Sequence, residues 1–221
     1  MFYKETQLPN PYYAPYPGSR DFTYNTPVYN KKAFDYWGSI DDAFSEGYKD
    51  NNALYVNASS DNTSKADDRY NEGIEAGLNL INQLESSNIV LKKGETIKIV
   101  GHSQGGAFAA GMANVISKNK KYSSILQEVV YLEPHQPGDF NHPNGVKGVQ
   151  VSSAQDRVAS KWNFLSGLKG KTSFTNIKGI NQFIDNDTYE GDMLKGYSVG
   201  SNLDEIIRYF ESKGVKVNVY K

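Results

Sequence analysis

The chain has 221 residues, with 24 Lys plus Arg against 25 Asp plus Glu, a net charge of −1 and a pI near 6.3. That length fits one layered domain over residues 1–221, and the balanced charge, without a basic stripe, argues against a nucleic-acid partner. The absence of cysteine rules out disulfides, thiolate metal sites and cysteine nucleophiles in one step.

Hydrophobic residues make up 38% of the chain, and the 16 tyrosines and other rings compensate by burying large areas. Met1 to Thr6 shows no basic segment followed by an apolar run, so no secretory signal is read there. No stretch approaches the roughly 18 apolar residues of a membrane span. The abrupt start, through the Pro/Tyr-rich stretch Leu8 to Pro17, reads as a domain cut from a longer protein.

Residues 1–50 form an irregular segment rich in Pro, Tyr and Asn. Tyr12 to Tyr16 reads as a short strand running into a turn at Pro17-Gly18-Ser19. Lys31 to Tyr48 is weakly helical, with Phe34, Trp37 and Phe44 on its apolar side. The segment has two readings, a lid or wall of an apolar substrate groove, and ordinary aromatic packing.

Ala53 to Val56 reads as a strand, followed by a polar loop from Asn57 to Asp68. Asp61, Asp67 and Asp68 lack the spacing of a calcium loop and read as solvated, with Asp67 or Asp68 as an N-cap. The next helix, Arg69 to Leu84, places Ile74, Leu78, Ile81 and Leu84 on one face. After a turn at Lys93-Gly94, the β-branched run Thr96 to Val100 predicts a central strand.

Gly101 to Ser103 form a tight turn, and Gln104 to Lys118 read as a small-residue helix able to lie close to a sheet. Strands follow at Glu128–Leu132 and about Gly148–Ser152, then near Ser173–Ile177 before a long polar loop. An amphipathic helix carries Leu203, Ile206, Ile207 and Phe210, and Val215 to Tyr220 ends the chain as a strand or extended tail. Alternating strands and helices predict an α/β protein with a mostly parallel sheet covered on both faces.

Gly101-His102-Ser103-Gln104-Gly105 is a Gly-x-Ser-x-Gly motif placed between a predicted strand and a predicted helix. That context fits a nucleophile elbow, where the serine is held in a strained conformation at the top of the sheet. The two glycines leave room for the turn to close, and the helix N-terminus directs free N–H groups at a reacting carbonyl. Ser103 is then the nucleophile and the N–H of Gln104 the first oxyanion donor. The second donor is placed in Pro17 to Asp21, at Ser19.

Thr96 to Ala107 resembles the elbow of class 3 lipase-type α/β-hydrolases. It is also similar to the hydrolase-like domains at the C-termini of bacterial RHS-type and other polymorphic toxins. Asp68 to Gly73 and Leu132 to Gly138 match the style of the latter, and the likeness runs from about Ala53 to Phe210. The resemblance implies a three-layer α/β-hydrolase fold and a serine esterase or lipase without cofactor or metal. Its substrate would be a small-molecule or lipid ester, reached by transient contact with a membrane surface.

The triad of this fold runs Ser, then Asp or Glu, then His. Asp156, just beyond a strand, is the expected acid, with Glu133 the alternative. The base breaks the pattern: the only histidines are His102, His135 and His142, all before Asp156. The resemblance places the base in Gly196-x-Ser198-Val199, where this chain has Tyr197, and a phenol with a pKa near 10 is a poor base at neutral pH. His102 precedes the serine and points away from it, which leaves His135 and His142 as equal alternatives. A catalytically silent hydrolase fold that binds a ligand or partner is the competing reading, and Tyr197 is what favours it. Asn57, Asn62 and Asn186 head Asn-x-Ser/Thr triplets.

Overall fold

The computed structural model describes residues 36–50, 52–56, 58, 65–152, 176–186 and 199–219. Among these residues the centre is a four-stranded, all-parallel sheet in the order β1 (Ile97–His102), β2 (Leu126–Leu132), β3 (Lys147–Ser152) and β4 (Gln182–Asp185). Helices α1 (Ser39–Tyr48), α2 (Ala66–Glu85), α3 (Gly105–Lys118) and α4 (Leu203–Ser212) cover it. The chain is therefore of the α/β class. Parallel strands are buried on both faces, which is why β2 ends in the unbroken apolar run Val129 to Leu132.

Alternation along the strands sorts the core into two halves. Ile97, Ile99, Val129 and Tyr131 pack with α2 and α3, whereas Val130, Leu132, Val149 and Val151 pack with α1 and α4. On the second side, Ile40, Phe44, Ile206 and Phe210 are fully buried, as the amphipathic pattern of the last helix predicts.

Helix α2 corrects the expected face. Its buried residues are Ala66, Arg69, Gly73, Ala76, Gly77, Leu80, Ile81 and Leu84, while Leu78 is half exposed. Small residues took the buried side because α2 and α3 touch backbone to backbone. A Cβ on Gly73 would lie 2.0 Å from the Phe108 carbonyl oxygen, and one on Gly111 would lie 2.0 Å from that of Tyr70. Alanine gains roughly 1 kcal/mol over glycine in a helix interior, but overpacking costs about 1–3 kcal/mol. Gly111→Ala is therefore expected to lower the free energy of urea unfolding by about 1–2 kcal/mol, because backbone on backbone cannot rotate away.

Other boundaries moved too. Helix α2 starts at Ala66 with Lys65 at its N-cap, so Asp67 and Asp68 sit in the first turn beside the positive end of the helix dipole. Ala53 and Tyr55 form only isolated bridges. Strand β4 falls within the stretch read as a polar loop, and of the strand expected near Ser173–Ile177 residues 173–175 lie outside the described residues. Val215 to Val219 lies outside the sheet with no regular secondary structure, and Val217 is buried.

At the start of β2 a carboxylate sits inside the α1/α4 side of the core. Glu128, 4% exposed, accepts hydrogen bonds from the hydroxyls of Tyr48 and, at 2.6 Å, Tyr209. Lys213 Nζ stands 3.3 Å from both carboxylate oxygens, and Lys147 Nζ lies 3.5 Å from one. Burial raises the carboxyl pKa, but these donors and charges outweigh it and bring Glu128 below the ordinary range.

Candidate active site

Strand β1 ends at His102 and helix α3 begins at Gly105, which leaves two residues to reverse the chain. Ser103 does so with φ 55°, a left-handed conformation that a residue with a Cβ adopts rarely. Such strain persists only where the surroundings hold it. The Ser103 N–H donates to Leu132 O at 3.0 Å, and its carbonyl accepts N–H groups from Gly106 and His135, each at 3.0 Å. Three backbone hydrogen bonds thus fix the residue from β2, from α3 and from the loop after β2.

The glycines around it have unequal reasons. A Cβ on Gly101 would lie 2.3 Å from the Gly105 carbonyl oxygen, so the strand and helix can meet only without a side chain there. At Gly105 a Cβ would make ordinary contact, 3.7 Å from Ala58 Cβ. The tight second position is Gly106, where a Cβ would lie 2.9 Å from Pro134. Pro134 rests on the first turn of α3 and brings the loop after β2 against the elbow.

Beyond Ser103 the N-terminal turn of α3 carries no side-chain cap, and among the described residues no backbone carbonyl takes the Gln104 N–H. That N–H belongs to the positive end of a 14-residue helix, a setting that favours a developing oxyanion.

The loop Glu133 to Gly138 is the other half of the site. Glu133, the alternative acid, is fully buried with φ 40°, and its N–H donates to Val151 O at 2.9 Å. It leaves the sheet beside Ser103, since His102 pairs with Leu132. His135 is half-buried and tied by its own N–H to the Ser103 carbonyl.

The three histidines are now distinct. His102 turns to the α1 side, where the Tyr36 hydroxyl meets its Nδ1. His142 is 4% exposed and uses both ring nitrogens inside the fold. Its Nε2 lies 2.8 Å from the Val146 carbonyl, which only accepts, so Nε2 carries the proton and Nδ1 accepts from the Tyr131 hydroxyl at 2.7 Å. The ring also packs on Gly148, at the start of β3, far along the strand from the edge that carries Ser103. Burial lowers its pKa, against the opposing Val146 bond. His142 is thus a core histidine, with both ring nitrogens held by Tyr131 and Val146.

Asp156, Tyr197 and Ser19 lie outside the described residues. Asn186, which heads one Asn-x-Thr triplet, is 2% exposed, and its amide donates to Ser201 O at 3.2 Å, so that position is closed to a glycan. Among the described residues no His/Cys/Asp/Glu group is arranged to hold a metal, and no helix is long and apolar enough to cross a membrane. Gln136, in the Leu132–Gly138 segment, has a role that its sequence does not signal: its side chain reaches the start of α2. No protein-family model matches the chain, and no curated protein matches it.

Proposed function

We propose that this chain is a serine hydrolase of α/β-hydrolase fold that cleaves carboxylic esters, of the lipase or esterase kind. The observation that carries the reading is Ser103 itself, held at φ 55° between a parallel strand and a helix N-terminus. Helices on both faces of a parallel sheet support the fold assignment. The resemblance of Thr96 to Ala107 to lipase and toxin-domain elbows supports a lipid ester at a membrane surface as substrate.

In this reading Ser103 Oγ attacks the ester carbonyl, and the Gln104 N–H stabilises the oxyanion, a contact worth about 3–4 kcal/mol. His135 takes the proton from Oγ and passes it to the departing alkoxide, leaving an acyl-serine that water then hydrolyses. His135 is assigned because, of the three histidines, its backbone is bonded to the elbow while His142 is consumed elsewhere. Asp156 supports the imidazolium, with Glu133 as the alternative acid.

A fluorophosphonate probe followed by intact-mass analysis tests this. One adduct on Ser103 is expected in the wild type and none in Ser103→Ala; a folded wild type that takes no label sinks the proposal. The competing reading, a silent hydrolase fold, is favoured by Tyr197 standing where the resemblance places histidine. A large gain in p-nitrophenyl ester turnover in Tyr197→His would mark that position as an empty base site.

A further inference from the structure

We infer that the first turns of α2 clamp the elbow, and that Gln136 is the positioning residue through which they hold His135; this rests on the hydrolase reading above. Gln136 adopts φ 53°, and its Oε1 accepts the Ala66 N–H at 2.8 Å, a bond between residues 70 apart in the chain. Helix α2 has no side-chain cap of its own at Lys65, so a residue from the site loop satisfies one of its first N–H groups. The same loop is bonded on the other side, His135 N–H to Ser103 O. His135 therefore lies between two anchors, one on the nucleophile and one on α2.

The same stretch of α2 also holds the opposite wall. Arg69, 1% exposed, donates from Nη1 to Ala58 O at 3.1 Å and to Glu72 at 3.0 Å. Ala58 in turn faces Gly105 at the start of α3. One helix end thus fixes the segments on both sides of the elbow, which is what a base on a loop requires, since a displacement of about 1 Å can slow a reaction by about 100-fold.

The test compares Gln136→Leu, which removes the acceptor, with Gln136→Glu, which keeps it and adds charge favourable to a helix N-terminus. Two quantities are read in the folded proteins: the rate of fluorophosphonate labelling at Ser103 and hydrogen exchange of the His135 amide. Gln136→Leu is expected to slow labelling about 10-fold, a fraction of the loss that misplacement can cause, and to speed exchange of that amide; Gln136→Glu restores both. A cap that served stability alone would lower Tm and leave the labelling rate unchanged. Labelled wild type with an unchanged rate in Gln136→Leu overturns this inference alone, whereas no label in the wild type overturns the hydrolase reading and this inference with it.

Discussion

His135→Ala is expected to slow fluorophosphonate labelling of Ser103 by about 10²- to 10⁴-fold, the range for losing a positioned general base. The bond that His135 gives the elbow comes from its backbone N–H, which alanine keeps. His142→Ala is expected to do the reverse. It strands the Tyr131 hydroxyl and the Val146 carbonyl in the core, at about 1–3 kcal/mol for each buried group left unsatisfied. The folded fraction should label at the wild-type rate. Urea unfolding and labelling kinetics on the pair check both halves, and a labelling loss in His142→Ala with none in His135→Ala would move the base away from the elbow loop.

Glu128→Ala carries the largest expected loss of stability. Removing one member of a buried ion pair costs about 3–5 kcal/mol, because the partner charge is left behind. Here the lower end applies, since the Lys213 and Lys147 side chains are 32% and 40% exposed and water screens them. The two tyrosine hydroxyls also lose their acceptor. The sign of the pH dependence follows from linkage: a carboxyl lowered by folding stabilises fully above its ordinary value of 4.5 and loses that contribution as pH falls through its folded value. His142, also lowered, starts an earlier decline as pH falls below its ordinary 6.5. Denaturant unfolding between pH 7 and 3 should therefore show two acid limbs. Glu128→Gln should flatten the one below about pH 4.5, and an unchanged limb in that variant would remove Glu128 from the account.

The helix face of α2 shows where sequence periodicity stops being informative. Ile74 and Leu78 gave the stronger apolar signal, yet Leu78 is half exposed and Gly73 and Gly77 are buried. Hydrophobicity reports which residues gain from leaving water, whereas close helix crossings are decided by which residues have no side chain to collide. Strand β4 was missed for a related reason, since four residues at the sheet edge carry too short a pattern to stand out from a polar loop.

What the sequence by itself determined is the strand–turn–helix around Ser103. A β-branched run, Gly-x-Ser-x-Gly and a small-residue helix lie within about twenty consecutive positions, so the strand, turn and helix are legible locally, although Leu132 and His135 hold the turn from outside that span. The tertiary structure alone decided the histidines. His135 and His142 both stand between β2 and β3 in stretches rich in Pro and Gly, and only the approach of Tyr131, Val146 and Gly148 makes one a core residue. Gln136 is the same case: its partner Ala66 is 70 positions away, and hydrogen bonds of that separation exist only once packing has brought the two ends together.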